Sequence, residues 1–310
     1  MEMKKKEIKS KIKSKIPSSI LPEIQKIHVI LLNFIYMLRY VIQNLTGNFG
    51  IRFLVLSVGL ACNYKCKDCA NFCPVSPKEY KRYELDDILE SIKRILKNVN
   101  FIQVFQIQGG EPFLYSELGG VLEYLGNRKD KIHQIVIATN GSIVPDDKLM
   151  YLIHKHGVQI RISDYGRFPE KLELLQQKCY QFKVQFTIYG FATGDSSWFQ
   201  CGEVGVKRER DDNLVRNRFR CCAFKNCLTL ERGELSHCSR ASNSYHIQGF
   251  KRQKNDFIKV TDDKNFGKYL RRYVIFPKPM EACYYCYGTS LGCTIPAAIQ
   301  EGDSGTALHK

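Results

Sequence analysis

Phe53-Leu54-Val55-Leu56-Ser57-Val58 runs almost directly into Cys62-Asn63-Tyr64-Lys65-Cys66-Lys67-Asp68-Cys69. The first stretch is apolar enough to be a buried strand. The second sets three thiols at i, i+4 and i+7 of the loop that leaves it. Thiols this dense are ligands before they are anything else, because the thiolate is the soft donor that zinc and iron–sulfur clusters select. Three protein ligands leave one position of a metal or cluster open, and an open position is where a substrate or cofactor binds. The spacing also admits a closed zinc site, since Cys73 offers a fourth thiol.

Outward from this loop the pattern alternates between strand and helix. Strands are predicted over 53–58, 101–107, 132–138, 158–162 and 184–188, and helices over 85–96, 118–125, 147–156 and 171–179. The first helix shows the reason: Leu85, Ile88, Leu89, Ile92, Ile95 and Leu96 fall on one face at helical spacing. Alternation of this kind implies an α/β fold with a parallel sheet and right-handed crossovers. Polar or glycine-rich tips follow successive strands: Gly109-Gly110-Glu111-Pro112, Thr139-Asn140-Gly141 and Ser163-Asp164. They share the edge at which such sheets bind ligands.

The whole chain has 310 residues, 44% of them apolar, enough for one large domain and an appendage. Lysine and arginine number 47 against 31 acids, and residues 1–15 alone hold seven lysines. A formal charge of +16 suits an anionic substrate, an anionic membrane surface or nucleic acid. Thirteen cysteines, an odd number with tight spacing, point to metal ligation in a reducing cytoplasm rather than to disulfides. The apolar run over 20–45 is expected to be a helix packed on the domain it precedes, or else one lying in the membrane interface as a peripheral contact. Residues 203–220 are charged and read as a linker, 241–250 and 266–273 as helices, and the tail beyond 299 as frayed.

Taken together, Cys62-x-x-x-Cys66-x-x-Cys69 after the first strand, Gly109-Gly110-Glu111-Pro112 after the second, Thr139-Asn140-Gly141 after the third and Ser163 after the fourth resemble the radical S-adenosylmethionine (SAM) superfamily. The resemblance covers residues 52–190 and implies a partial (β/α)6 TIM-type barrel. It implies a catalytic 4Fe–4S cluster on Cys62, Cys66 and Cys69. It also implies S-adenosylmethionine held by Gly109, Gly110, Glu111, Pro112, Thr139, Asn140 and Ser163, with Glu111 and the two glycines near the methionine amino group. Reductive cleavage of the sulfonium would then release a 5′-deoxyadenosyl radical. One departure stands out: the residue before the third cysteine is commonly aromatic in this family, and here it is Asp68, so Tyr64 or Phe72 is expected to meet the adenine.

The later cysteines resemble the auxiliary-cluster region called SPASM, in its shortened Twitch form. Cys222, Gly233 and Cys238 fit its first half and the Cys283-x-x-Cys286 pair its second, which implies a second 4Fe–4S cluster in a small α+β region over 203–300. Cys221 and Cys227 compete with Cys222 for the first ligand position. Cys201 is a candidate hydrogen-atom donor, and Asp164 and Tyr165 are candidates for substrate contact or proton transfer. Arg161, inside the fourth strand, suits either an anionic substrate or a carboxylate of the protein.

These readings favour a radical enzyme acting on a small polar molecule, a saccharide or aminocyclitol for instance, as oxidoreductase or epimerase, with flavodoxin or ferredoxin as electron donor. In a dehydrogenation the auxiliary cluster would take up the electron. A radical maturase of peptides or proteins is the alternative. A zinc-stabilised nucleic-acid-binding protein is the non-enzymatic one. No basic strip interleaved with aromatics accompanies the cysteines, and no nucleic-acid partner is expected.

Overall fold

Strands β1 (Gly50–Ser57), β2 (Phe101–Gln108), β3 (Ile132–Thr139), β4 (Gln159–Asp164) and β5 (Phe186–Gly190) form the body of an eight-stranded sheet in a computed structural model. The model describes residues 45–190, 197–202, 205–244, 251–289 and 294–301, with positions 34, 38, 41 and 42. The chain divides into a unit of residues 1–50 and one of residues 51–310. The sheet order is β5-β4-β3-β2-β1-β7-β8-β9, where β7 is Leu228–Glu231, β8 Glu234–Ser236 and β9 Ile258–Lys259. The pairs β2–β3, β3–β4, β4–β5 and β1–β7 are parallel, and β7–β8 and β8–β9 are antiparallel. The result is an α/β fold with an open, mostly parallel sheet.

Helices α1 (Leu85–Lys97), α2 (Leu118–Gly126), α3 (Asp147–Lys155) and α4 (Pro169–Gln181) connect the parallel strands. Their apolar stripes meet one face of the sheet. Ile88, Ile92, Ile95 and Leu96 of α1 are buried, as are Leu54 and Leu56 of β1, Phe105 and Ile107 of β2, Ile135 and Ile137 of β3, and Ile160 and Ile162 of β4. Each fully buried side chain of this size contributes roughly 1.5–3 kcal/mol. The alternate positions, among them Gln106, Gln108, Arg161 and Ser163, belong to the other face, because successive side chains of a strand point to opposite sides. That opposite face carries the polar chemistry.

Several expectations need correction. Within residues 203–220, read as a linker, the chain turns into helix α5 (Asp212–Cys221). The Asp211 side chain caps it by accepting from Asn213 N at 2.7 Å, and Val215 and Phe219 bury one side. The helix expected over 241–250 is a short α6 (Ser239–Asn243), and 245–250 lie outside the described residues. Among the described residues no sixth strand extends the series beside β5. Instead β6 (Ser197–Phe199) pairs antiparallel with β10 (Thr294–Pro296). Helix α7 (Phe266–Ile275) lies where it is expected.

In the first unit, Phe34, Leu38, Val41, Ile42 and Leu45 are helical and exposed, at a spacing that sets them on one face. The rest of the apolar 20–45 segment lies outside the described residues. No helix among the described residues is long and apolar enough to cross a membrane.

Candidate active site

The cysteine loop leaves β1 and is tied to the ends of its neighbours by backbone contacts. Gly110 N donates to Gly59 O at 2.9 Å and Glu111 N to Ala61 O at 2.8 Å. A Cβ on Gly110 would stand 2.0 Å from Ala61 O, and one on Gly109 (φ +148°) 2.1 Å from Gly59 O. The two glycines are therefore required by main chain packing on main chain. Asn71 Nδ2 donates to Gly109 O at 2.6 Å, fixing the far side of the loop.

Cys62, Cys66 and Cys69 line a cavity of about 370 Å³, within the range of small-molecule sites. Gly109, Gly110, Thr139, Asn140, Ser163, Tyr165 and Cys201 line it too. Burial pushes the Cys62 thiol up to about 11 and the Cys66 thiol up to about 12. The neighbouring Cys73 thiol hydrogen-bonds Cys69 and draws it down to about 6, while Cys73 itself is buried and raised. Among the described residues no three Cys, His, Asp or Glu side chains converge on a single metal ion. Thiolates on one zinc lie about 2.3 Å from it, whereas a cluster spreads its thiolates over several irons. The donor set fits a cluster: three soft thiols line one cavity.

Glu111 and Pro112 stand behind this wall. Glu111 is buried and accepts from Thr139 Oγ1 at 2.8 Å, Asn140 N at 2.8 Å and Phe113 N at 3.1 Å. It thus latches the β2 tip to the β3 tip and is not among the residues facing the cavity. Burial raises its carboxyl to about 7 against the pull of those donors. Asn140 continues the link to the cysteine loop, with Nδ2 3.1 Å from Asn63 Oδ1 and 3.8 Å from Cys62 Sγ.

Asp68 is exposed at the cavity rim. Of the two aromatic residues expected to serve in its stead, Tyr64 lines the cavity and packs 6.2 Å from Tyr165 and 6.0 Å from Phe168 between ring centroids. Phe72 lies under Arg240, 4.6 Å from ring centre to guanidinium carbon. Burial pushes the Tyr165 phenol up to about 12, and its ring meets Trp198 edge-on at 5.6 Å. Asp164 turns away from the main cavity and accepts from Gly166 N at 2.8 Å.

A second cavity, about 210 Å³, adjoins the first and shares Ala70, Gln108, Arg161 and Cys201 with it. Cys222, Cys227, Cys238, Cys283 and Cys286 line it, whereas Cys221 is exposed at the end of α5. Burial raises Cys238 well above the ordinary thiol range and Cys283 to about 12. Cys201 hydrogen-bonds Cys286 and draws it down to about 6. Cys201 therefore belongs to this second thiol group as much as to the first cavity. Cys179 is fully buried in α4, a small apolar residue, and Cys293 lies outside the described residues.

Sequence reasoning missed the segment that closes the loop. Residues 294–301 return across the cysteine loop, where Lys67 N donates to Ile299 O at 2.8 Å and Glu301 N to Lys65 O at 2.9 Å. Gln300 accepts from Lys65 N at 2.6 Å and donates to Cys66 Sγ at 3.2 Å. No local signal marks Gln300, because the contact spans 234 residues.

Residues 56–164 match the family model of the Radical SAM superfamily, and that match implies a 4Fe–4S cluster and S-adenosylmethionine. The chain is 34% identical over 90 residues to a Methanocaldococcus jannaschii protein that bears the provisional name of a glycyl-radical enzyme activating enzyme. The match covers 28% of this chain and 32% of that protein, so the chain spans about a third of the relative's length. Among solved structures, BtrN in complex with AdoMet and 2-DOIA is 14% identical, with a TM-score of 0.46 over 81% of this chain and 98% of that one. The structure of anSMEcpe with AdoMet and the Cp18Cys peptide is 15% identical, with a TM-score of 0.44 over 76% and 93%.

Proposed function

We propose that the chain is a radical SAM enzyme acting on a small polar molecule, as an oxidoreductase or epimerase. The observation that carries the reading is the cavity into which Cys62, Cys66 and Cys69 face together beneath the tips of β2, β3 and β4. When bound, a 4Fe–4S cluster and S-adenosylmethionine supply one-electron reductive cleavage of the sulfonium.

The protein's own residues would position and protect. The Gly109–Gly110 backbone, Thr139, Asn140 and Ser163 form the wall for the cofactor, with Glu111 holding Thr139 and Asn140 in place. Tyr64 offers the aromatic face for an adenine. Tyr165, whose phenol stays protonated at neutral pH, serves as a hydrogen-bond donor rather than a base. Trp198 and residues 294–301 cover the loop and keep water from the thiols.

The second group, Cys222, Cys238, Cys283 and Cys286 with Cys201 beside them, supports an auxiliary 4Fe–4S cluster of the Twitch kind. A small electron-carrier protein such as flavodoxin or ferredoxin would supply the reductant. Phe34, Leu38, Val41, Ile42 and Leu45, preceded by the lysine-rich start, support a peripheral contact with an anionic membrane face. A second reading, modification of a peptide or protein, is favoured by the name of the Methanocaldococcus jannaschii relative.

Iron and sulfide content after anaerobic reconstitution tests the proposal. Roughly eight irons per chain are expected, as for two four-iron clusters. Formation of 5′-deoxyadenosine on reduction is expected as well, and its abolition in Cys66→Ala. Zinc without sulfide overturns the reading, and roughly four irons removes the auxiliary site.

A further inference from the structure

We infer that Arg161 is the anchor for an anionic group of the substrate, a phosphate or a carboxylate, held inside the sheet between the two cavities. The inference rests on the radical reading of the site, with the substrate lying where the two cavities meet.

On β4, Ile160 and Ile162 are buried among the helix-facing core, so Arg161 projects from the opposite, polar face. Its neighbours on the same rung are Ala138 of β3 and Thr187 of β5, neither of which is charged. Among the described residues Arg161 makes no ion pair and no hydrogen bond, unlike Arg82 with Glu117 or Arg94 with Asp262. The expectation that a sheet arginine meets a carboxylate of its own protein is thus not fulfilled there. Burial pulls its pKa down, yet a guanidinium stays charged in proteins. A desolvated cation without a partner costs several kcal/mol, and a fold that keeps one has placed it for something that arrives later.

The surroundings suit a polar ligand. Arg161 lines both cavities, as does Gln108. Gln106 is buried beside it on the cavity wall, donating to Gln108 Oε1 at 2.5 Å. Thr229 of β7 is fully buried, lines the second cavity, and its Oγ1 has no hydrogen-bond partner. A planar guanidinium binds carboxylate or phosphate through two parallel N–H···O bonds. The neutral amides and the free hydroxyl then suit hydroxyl-bearing carbons next to that anion.

The test uses the full chain after anaerobic reconstitution, with inorganic phosphate and acetate as separate probes. Calorimetric titration and thermal melting are run on the wild type, Arg161→Gln, Arg161→Lys and Arg216→Gln. Arg216 is an exposed residue of α5, so its substitution makes the same charge change away from the cavities. At least one anion is expected to bind the wild type and raise its Tm, and the stronger response assigns phosphate or carboxylate. Arg161→Gln is expected to weaken that binding about ten-fold or more, equivalent to about 1.4 kcal/mol. Arg161→Lys should fall between the two, and Arg216→Gln should stay within roughly two-fold of wild type. Without anion, Arg161→Gln should melt no lower than wild type, because it removes an unpaired charge. Equal anion binding by Arg161→Gln and Arg216→Gln overturns the inference, and so does a lower anion-free Tm, which would mark a structural partner. None of these readouts needs turnover. Failure of the radical reading would show separately, as missing sulfide or missing 5′-deoxyadenosine.

Discussion

Replacing Gly110 by alanine should damage the protein far more than one methyl group normally does. The new Cβ would stand 2.0 Å from Ala61 O, 2.4 Å from Ala61 C and 3.0 Å from the Cys62 Cβ. Ordinary contact begins at 3.4 Å, so the two main-chain segments must part by about 1.4 Å, and neither can yield by rotating a side chain. Parting them breaks the bonds from Gly110 N to Gly59 O and from Glu111 N to Ala61 O. Each net bond is worth about 1 kcal/mol, and overpacking strain adds about 1–3 kcal/mol. The expected loss is therefore about 3–5 kcal/mol. Because Ala61 precedes Cys62, iron retained after reconstitution should fall as well. Gly119→Ala is the control. Its Cβ meets only the tip of the Leu152 side chain, at 3.2 Å, and alanine in a helix gains up to about 1 kcal/mol over glycine. Urea melts and iron content are measured side by side. A Gly110→Ala variant within about 1 kcal/mol of wild type and fully loaded with iron would refute the reasoning.

Glu231 is buried, accepts from the Tyr83 hydroxyl and from Ser242 Oγ, and has its carboxyl raised above the usual range chiefly by burial. Its protonated form therefore favours folding. That stability is complete below the unfolded value of about 4.3 and is lost as pH rises through the raised one. Glu231→Gln should accordingly gain on wild type in Tm as pH rises from 5 to 8, and parallel pH curves would contradict this. Thr139→Val removes a donor from buried Glu111 and should cost about 1–3 kcal/mol in denaturant melts; Ser142→Ala, three residues further along the same loop, leaves that carboxylate's bonds intact for comparison. For the first unit, removal of residues 1–45 should abolish co-sedimentation with anionic vesicles and leave iron content unchanged. Retention on vesicles would dismiss the membrane contact.

Much of the sheet was legible because its signals are local. The apolar face of α1 and the alternation from 53 to 188 follow from side-chain periodicity, and the strand tips stand where the pattern breaks. What escaped was non-local or cancelled by composition. Helix α5 hides in a charged stretch with few apolar residues, and its legible signals were the Asp211 cap and the Val215–Phe219 pair. The motif marks Glu111, but its link between two strand tips that converge only in three dimensions is not legible in it. Cys201 reads as an isolated thiol until the chain brings it against Cys286. The same holds for Arg161: sequence offers two partners for a sheet arginine, and only the surrounding rungs show that no carboxylate stands near among the described residues.

The contact between Gln300 and Cys66 sets a schedule for biosynthesis. The cysteine loop leaves the ribosome 234 residues ahead of the segment that covers it. At roughly 5–20 residues per second, that lag is about 12–47 s. During that interval Cys66 lacks both its amide donor and its cover. Residues 294–301 thus arrive late as a seal, and the order in which the chain is made leaves the loop accessible before they close over it.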